Sequence, residues 1–325
     1  MGQEYPARIL RRDMNIQLLP SHAPSPSLAP ALAPPSKAHP SEVLRKRMHR
    51  AVLVQKRICG DGRIGSFVLR VDPSVLGEWQ AGQYVGIGLD TPEGFTVRSY
   101  SIASSPLDHE SLELLIALVP SGKLTPTIFQ QEIGSTWHHL TPKGHFTLAK
   151  AQKHTLVMIA TGTGLAPFLS QIRTLWHLHR SGIPISHRII LLHGVSFADE
   201  RDLFKEELER YAAARAEGFD FTYIGTASRP DSVGRGWSEK LGRGRVNDLI
   251  RQIFSLPMHD RAAALPAGLE PGDQVFHGLR DHAGSSVWLA CGNPLMIEDL
   301  RGPAQALGVA KLLSEQYWQA QVTAL

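Results

Sequence analysis

The feature that most constrains the fold is a change of rhythm near residue 150. From Arg47 to about Leu148, short apolar runs are separated by turn residues such as Gly60-Asp61-Gly62 and Ser121-Gly122. After Lys153, apolar strand-like runs alternate with helix-like segments. Several short strands at such spacing indicate a small antiparallel barrel, whereas strand–helix alternation indicates a parallel sheet with crossover helices. The sequence therefore predicts a β + α/β fold, an antiparallel β-barrel followed by a parallel-sheet, Rossmann-like domain.

The length of 325 residues agrees with two domains, and composition marks a further segment before them. Pro20–Pro40 is dominated by Pro, Ala and Ser, so we predict a disordered tail over residues 1–46. The barrel domain is assigned to residues 47–150 and the α/β domain to residues 151–325. The stretch 256–284 is rich in Gly and Pro, fits neither pattern, and is predicted to be an insertion of unassigned use.

Charge and hydropathy exclude several classes of partner. The formal net charge of +4 is too small to indicate nucleic-acid binding. No apolar run approaches the length of about 18 residues that a membrane span requires. The first residues include Glu4, Arg8 and Arg11, so no signal peptide is predicted and a cytoplasmic location is expected.

Cysteine and histidine spacing excludes several kinds of chemistry. Cys59 and Cys291 are the only cysteines, too few for a disulfide framework or for the four ligands of a typical iron–sulfur cluster. The pairs His138-His139 and His177/His179 do not place two ligands on one helical face, so no metal site is predicted. No G-x-S-x-G motif supports a hydrolytic triad.

The barrel half contains a strand-like segment, Phe95–Ile102, with an unusual pair of side chains. Alternate residues of a strand share a face, so Arg98 and Tyr100 project together. A guanidinium can bind a phosphate while a neighbouring aromatic ring stacks on a flat ligand ring, a combination that suits a flavin nucleotide. The turn Pro120–Pro126 offers backbone N–H groups to a phosphate. Taken alone, the first segment is more typical of an ordinary barrel strand with one exposed arginine, and the second of a hairpin turn that runs into a short helix.

The α/β half contains a glycine loop, Ala160–Pro167, directly after an apolar strand and at the start of a helix. Glycines there allow the backbone to approach a pyrophosphate, although the loop is not a G-x-G-x-x-G fingerprint. Ser228-Arg229 follows a later strand, and Arg235, Arg243 and Arg245 lie in the glycine-rich loop after it. Arginines at that edge suit the 2′-phosphate of NADP, although a solvated basic loop is the alternative. Leu289–Met296 repeats the strand–glycine–helix arrangement around Cys291, which we do not propose as a thiolate nucleophile.

In this order the motifs resemble the ferredoxin–NADP(+) reductase family, and specifically its bacterial flavodoxin/ferredoxin reductase branch, over roughly residues 50–318. The resemblance implies an antiparallel FAD-binding β-barrel followed by a parallel-sheet, Rossmann-like NADP-binding domain, with FAD and NADP(H) as cofactors. The motifs that carry it are Arg98-Ser99-Tyr100-Ser101, Gly122-Lys123-Leu124-Thr125, Thr161-Gly162-Thr163-Gly164, Ser228-Arg229, Cys291-Gly292-Asn293-Pro294 and Tyr317-Trp318.

The resemblance also implies roles for individual residues. The FAD-binding set is Arg98, Ser99, Tyr100, Ser101, Lys123, Leu124, Thr125, Thr163, Tyr317 and Trp318. The NADP-binding set is Thr161, Gly162, Gly164, Val195, Ser228, Arg229, Arg245, Gly292 and Asn293. The catalytic set, where the two cofactors would meet, is Tyr100, Ser101 and Cys291.

Two departures from the family pattern bear on specificity. Where the branch often has arginine in a His-Gly-Val-Arg-like run, this chain has His193-Gly194-Val195-Ser196. A lost charge-assisted hydrogen bond costs roughly 1.5–3 kcal/mol, so the preference for NADP over NAD is left open. Residues 319–325 follow Trp318, so the aromatic pair does not end the chain, and packing of a C-terminal helix is its alternative role.

The function implied is hydride transfer between NADP(H) and FAD, with single electrons passed to or from ferredoxin or flavodoxin, as in a ferredoxin/flavodoxin–NADP(+) reductase. The expected partner is a transiently bound ferredoxin or flavodoxin, which basic residues of 45–50 could attract, and the chain is expected to be a monomer. Two alternatives remain: a reductase component of an oxygenase or a free-flavin or ferric reductase, and a flavin- or nucleotide-binding sensor without turnover.

Overall fold

The computed structural model describes residues 40–151, 155–276 and 283–316. Two six-stranded sheets organise these residues, the first antiparallel and the second parallel. The first part contains α1 (Pro40–Arg45), β1 (His49–Cys59), β2 (Ile64–Arg70), α2 (Pro73–Leu76), β3 (Tyr84–Thr91), β4 (Gly94–Ser101), β5 (Ser111–Ala117), α3 (Thr125–Gln130) and β6 (Thr136–His139). The second contains β7 (Thr155–Thr161), α4 (Ala166–Arg180), β8 (Arg188–Val195), α5 (Lys205–Ala213), β9 (Phe221–Ala227), β10 (Gly242–Arg243), α6 (Val246–Ile253), β11 (Ser286–Gly292), α7 (Pro294–Ala306) and β12 (Lys311–Gln316).

The antiparallel sheet has the strand order β4-β3-β6-β1-β2-β5 and closes on itself. Closure occurs just beyond β4, where Ile102 bridges Leu114 of β5 and the Ala103 N–H donates to the Glu113 carbonyl at 2.7 Å. The interior is filled by large apolar side chains, including Phe67 and Trp137, whose ring centroids lie 5.7 Å apart. The predicted barrel is therefore confirmed.

The parallel sheet has the order β10-β9-β8-β7-β11-β12, with β7 between β8 and β11. Every residue of β7 from Thr155 to Ala160 is buried, as expected for a parallel strand covered on both faces. One apolar cluster contains α4 residues such as Phe168 and Leu169, and the cluster of the other face contains α6 and α7 residues such as Leu249 and Leu300. The predicted Rossmann-like domain is confirmed.

The barrel and the parallel sheet share one continuous core. Ala103 and Leu115 of the barrel belong to the same buried cluster as Phe168 and Leu169 of α4. The carboxyl edge of the parallel sheet is thereby held against the barrel. Among the residues described, no helix combines the length and the apolar character needed to cross a membrane.

Two segments differ from, or extend beyond, the sequence expectation. Residues 40–45, assigned above to the disordered tail, form helix α1, and Arg45 pairs with Asp90 of β3 at 2.8 Å. Residues 1–39 lie outside the described part of the chain. The predicted insertion packs on the parallel sheet. Its Ala264 forms a β-bridge with Arg243 of β10, and its Phe276 is fully buried in the apolar cluster that contains α6 and α7 residues.

Candidate functional site

The glycine loop after β7 is the centre of the candidate site. Residues Gly162–Leu165 form a 3₁₀ turn that leads directly into α4. Gly162 has φ +53, and a Cβ built there would meet nothing within 4 Å, so its surface is open to a ligand. Gly164 has the opposite environment, because its Cβ would collide with the backbone carbonyl of Cys291. Both glycines are required, one for conformation and access and the other for close packing.

The loop after β11 interlocks with this glycine loop. The backbone N–H of Asn293 donates to the Thr161 hydroxyl at 2.8 Å. Gly292 has φ +130 and lies against Thr161, where a Cβ would clash. The Asn293 side chain accepts the Leu295 N–H at 2.8 Å and so caps α7. Thr161, Gly164, Gly292 and Asn293 thus build the frame of the site.

His193, near the end of β8, holds the glycine loop through a hydrogen bond to its backbone. Its imidazole lies 3.0 Å from the Gly162 carbonyl through Nε2, and the side chain is 2% exposed. Burial lowers the pKa of His193 from 6.5 to about 4. The ring is therefore neutral at neutral pH, and since a carbonyl only accepts, Nε2 carries the proton.

A cavity of about 650 Å³ opens at the carboxyl edge of the parallel sheet. This volume is in the range of cofactor sites, and the location is the one where open α/β sheets bind ligands. The predicted nucleotide residues that line it are Thr161, Gly162, Val195, Ser228, Arg229, Arg245 and Asn293. With the open face of Gly162 as a cradle, the cavity fits a nicotinamide nucleotide.

The arginines predicted for the 2′-phosphate divide into two groups. Arg229 and Arg245 line the cavity, and Arg229 lies over the Phe197 ring at 5.3 Å. Arg235 instead pairs with Asp199 at 3.0 Å, and Arg243 donates to Asp231 at 3.0 Å. The Ser228 hydroxyl donates to the Val195 carbonyl at 3.3 Å. Only the first group offers cationic side chains to a ligand.

Four acidic or basic side chains in the cavity wall were not predicted from sequence: Glu200, Asp248, His259 and Asp299. Glu200 accepts the backbone N–H groups of Ser196 at 2.8 Å and Phe197 at 3.3 Å. His259, from the predicted insertion, lies 2.9 Å from Asp299 of α7. The insertion therefore contributes directly to the cavity.

On the barrel side, β4 presents the predicted flavin motif. Arg98 and Ser99 are exposed, while Tyr100 is partly buried against the barrel core. The Arg98 guanidinium donates to the Val97 carbonyl at 2.8 Å. Burial raises the pKa of Tyr100, with the nearby Arg98 cation acting in the opposite direction, so the phenol stays neutral. An exposed guanidinium beside an aromatic ring is an arrangement that fits the phosphate and the ring system of a flavin nucleotide.

Ser101, at the end of β4, contacts the parallel sheet. Its hydroxyl donates to the Glu315 carboxylate of β12 at 3.4 Å. Burial raises the pKa of Glu315 to about 7, and the bond from Ser101 opposes this only in part. Cys291 lies in register with Glu315 and is fully buried, so its catalytic assignment stays a prediction.

The turn predicted to bind the FAD pyrophosphate is shaped by its own side chains. Leu124 is 2% exposed and belongs to the barrel core. The Thr125 hydroxyl is 3.0 Å from both the N–H and the carbonyl of Val119 and closes the turn. Lys123 is exposed. Of these three side chains, only Lys123 is directed to solvent, and backbone groups remain for a phosphate.

The remaining assignments are less direct. Thr163 lies in the 3₁₀ turn beside Gly162. Tyr317 and Trp318 lie outside the described residues. Glu315 lies in β12 (Lys311–Gln316), two positions before Tyr317, and its closeness to the predicted aromatic pair was the available signal for it. Glu200 has the spacing from Phe197 of a capping-box glutamate, which was the signal for its backbone contacts.

Two family models match the chain, and its relatives include two proteins that are 32% identical over the matched residues. The oxidoreductase FAD-binding domain covers residues 50–148, and the oxidoreductase NAD-binding domain covers residues 158–302. Ferredoxin--NADP reductase B of Sorangium cellulosum is 32% identical over 178 residues, 54% of this chain and 68% of that protein. The 2-halobenzoate 1,2-dioxygenase electron transfer component of Burkholderia cepacia is 32% identical over 185 residues, 57% of this chain but only 50% of that protein.

A solved structure shares the fold. A ferredoxin NADP+ reductase from Neisseria gonorrhoeae, with bound FAD and NADP, superposes with a TM-score of 0.59. It is 19% identical, and the match covers 84% of this chain and 99% of that one. An FAD-binding barrel followed by an NAD(P)-binding parallel sheet is thus the architecture of this chain.

Proposed function

This chain belongs to the ferredoxin–NADP(+) reductase family of FAD- and NAD(P)-dependent oxidoreductases, and we propose that it transfers hydride between NADP(H) and FAD and single electrons to or from ferredoxin or flavodoxin. The cofactors follow from the two domains. The choice of carrier protein is the proposed part, since relatives in this family serve different electron acceptors.

One observation carries the proposal: the flavin motif of the barrel and the nucleotide loop of the sheet meet at one edge. Ser101 ends β4 and bonds to Glu315. Glu315 is in register with Cys291, and Cys291 with Ala160, the residue before Thr161 of the glycine loop. A flavin ring at Tyr100 and a nicotinamide bound from Gly162 would therefore face each other, which is the geometry that hydride transfer needs.

The chain's residues supply position and proton control. FAD, when bound, provides the redox chemistry, accepting a hydride and releasing electrons one at a time. Arg98 would hold a phosphate, Tyr100 the flat ring, and the Gly162 loop the pyrophosphate of the nicotinamide nucleotide. Glu315, with a pKa near 7, can hold a proton beside Ser101 at neutral pH.

An anaerobic titration tests the cofactor part of the proposal. The purified FAD-loaded protein should lose its flavin absorbance on addition of NADPH or NADH. A protein that binds no flavin, or whose flavin is not reduced by either nucleotide, would contradict it. A sensor without turnover would be excluded if the flavin were reduced by the nucleotide and then re-oxidised by an added acceptor over repeated cycles.

Steady-state assays test the carrier. Turnover should rise when ferredoxin or flavodoxin is added, and the absence of any stimulation by either would overturn this part of the proposal.

We further propose a cytoplasmic monomer with no nucleic-acid partner, and size-exclusion chromatography with light scattering would report the oligomeric state.

A second candidate is a reductase component of an oxygenase. It is favoured by the similarity to the electron transfer component of a dioxygenase, of which this chain spans half the length. These 325 residues contain two cysteines, too few for the four ligands of a typical iron–sulfur cluster, so the cluster that receives the electrons would lie outside them. Strong stimulation by an oxygenase's iron–sulfur protein, with none by ferredoxin or flavodoxin, would favour this candidate. A free-flavin or ferric reductase is the remaining candidate. It would be favoured if free flavin or ferric chelates were reduced as fast as the carrier proteins.

A further inference from the structure

The cavity wall that contains Ser228 and Arg229 also carries an acidic side chain. Glu200 lines the same wall as Ser228 and Arg229. The Arg229 N–H donates to the Ser196 carbonyl at 3.0 Å, and the Ser196 N–H donates to the Glu200 carboxylate at 2.8 Å. The Glu200 carboxylate and the Arg229 backbone are thus both hydrogen-bonded to Ser196, the residue that follows β8.

The two charges have opposite consequences for the ligand. A 2′-phosphate carries about −1.5 to −2 charges at neutral pH and is repelled by a carboxylate, whereas a ribose 2′-hydroxyl can donate to it. Arg229 has no ion-pair partner within residues 40–151, 155–276 and 283–316, so its guanidinium is available to a phosphate. Glu200 also occupies the N–H groups of Ser196 and Phe197, which would otherwise be donors to an anion.

The Glu200 carboxylate cannot easily leave the wall. The β1–β2 hairpin of the barrel packs on it, since a Cβ at Gly60 would lie 2.9 Å from the Glu200 Cγ. Arg63 of the same hairpin is 3.9 Å from the other carboxylate oxygen, and the side chain is only 10% exposed. Two backbone donors and one cation therefore hold the charge in place.

We infer that Glu200 is a selectivity residue of the nucleotide site: it opposes the 2′-phosphate that Arg229 attracts, and so shifts the chain's discrimination between the two nucleotides toward NADH. The inference rests on the proposed use of NAD(P)H. It also bears on Ser196, because an arginine at that position would pair with the fixed Glu200 carboxylate and partly neutralise the charge that opposes the 2′-phosphate.

Binding of adenosine fragments tests this without turnover. Glu200→Gln keeps an oxygen that can accept both backbone N–H groups but removes the charge. Calorimetry with adenosine 2′,5′-bisphosphate and 5′-AMP should show that the affinity ratio rises in favour of the bisphosphate by roughly tenfold, the size expected for one unit charge in a partly solvated cavity. The NADPH/NADH ratio of kcat/KM should rise by the same factor.

Three variants make the result decisive. Glu206→Gln removes an exposed charge of α5 outside the cavity and should leave both ratios unchanged. Arg229→Gln should move both ratios the opposite way. Glu200→Ser removes the charge by another route and replaces Glu200→Gln if that variant does not fold.

The outcomes separate this inference from the proposed function. A wild-type protein that is reduced by NADPH or NADH, with unchanged ratios in the Glu200 variants, would overturn the role of Glu200 alone. A wild-type protein whose flavin is reduced by neither nucleotide contradicts the proposed function, while the fragment affinities still report on Glu200.

Discussion

At the scale of single residues, two buried ionisable side chains have pKa values shifted in opposite directions by the same cause. Burial disfavours the charged form, so it lowers the pKa of His193 to about 4 and raises that of Glu315 to about 7. His193 is therefore a fixed neutral donor to the Gly162 carbonyl, while Glu315 changes its protonation near neutral pH. One residue shapes the site and the other can exchange a proton within it.

His193→Ala should weaken nucleotide binding and lower stability. The Gly162 carbonyl loses its donor, which costs about 1–3 kcal/mol in the free energy of unfolding, and the loosened loop should raise KM for the nucleotide more than it lowers kcat. Because the folded pKa is depressed, wild-type stability falls as pH drops from 6.5 through 4, and the variant should lack this component. Urea unfolding across pH, with exposed His145→Ala as control, measures it; equal effects of the two substitutions would contradict the role.

Glu315→Gln should remove a pH dependence of the opposite sign. The folded pKa is raised from 4.5 to about 7, so the stability that protonated Glu315 contributes is present below 4.5 and lost as pH rises through 7. Relative to wild type, the variant should gain up to about 3 kcal/mol between these limits. The inflection near pH 7 in the rate of flavin reduction should also disappear. Unchanged stability and rate profiles would show that Glu315 does not titrate there.

At the scale of elements, the site is made by the ends of β7, β8 and β11 and by the turns that follow them. The glycine loop and the Cys291–Asn293 turn are cross-linked through the Thr161 hydroxyl and packed through Gly164. Neither turn could hold its conformation alone, since each supplies the contact that the other needs. The conformation of the glycine loop therefore depends on its contacts with the Cys291–Asn293 turn.

Gly164→Ala and Gly162→Ala should show which glycine is needed for packing against β11 and which for access of the nucleotide to the loop. At Gly164 the new methyl group meets the Cys291 backbone, which cannot move without shifting β11, so we expect a loss of roughly 2–4 kcal/mol of stability. At Gly162 there is open space and only the positive φ to accommodate, at a cost of about 1 kcal/mol. Thermal melts and nucleotide titrations check this: Gly162→Ala should fold but bind nucleotide poorly, and the reverse ranking of stabilities would contradict it.

At the scale of the whole molecule, a buried ionic cluster joins the barrel to the parallel sheet. Arg173 of α4 donates to Glu113 of β5 at 2.6 Å and to both carboxylate oxygens of Glu207 of α5 at 2.7 Å. It also donates to the Ala103 carbonyl at 2.9 Å, beside the point where the barrel closes. The cluster thereby links β5 and the segment just after β4 to helices α4 and α5.

Arg173→Met should destabilise the chain by about 3–5 kcal/mol, because it leaves the Glu207 carboxylate without its cation and Glu113 with only Arg57, at 3.3 Å. Arg180→Met removes an exposed pair, Arg180–Glu217 at 3.8 Å, and should change stability by less than about 1 kcal/mol. Denaturant unfolding of both variants gives the comparison. If Arg173→Met proved as mild as Arg180→Met, the cluster would not be what joins the two parts.

Much of the site was predictable because its signals are local. The glycine loop, the Arg98–Tyr100 pair and Ser228-Arg229 were found from residue type and from their position relative to strand ends. Glu200, Glu315 and His259 were not, since each acquires its place in the site from a partner distant in sequence: the β1–β2 hairpin for Glu200, Ser101 for Glu315, and Asp299 for His259.

The sequence by itself determined the two architectures and their order, because hydrophobic period and turn chemistry act over a few residues. It also determined which strand ends carry glycine and arginine. Only the tertiary structure decided which of those arginines face the cavity, since Arg235 and Arg243 are taken by aspartates and Arg229 and Arg245 are not. It also placed one carboxylate beside Ser101 and another in the nucleotide wall. The two carboxylate placements depend on burial and on contacts with Ser101 and with Arg63, each more than a hundred residues away in sequence, which no local pattern encodes.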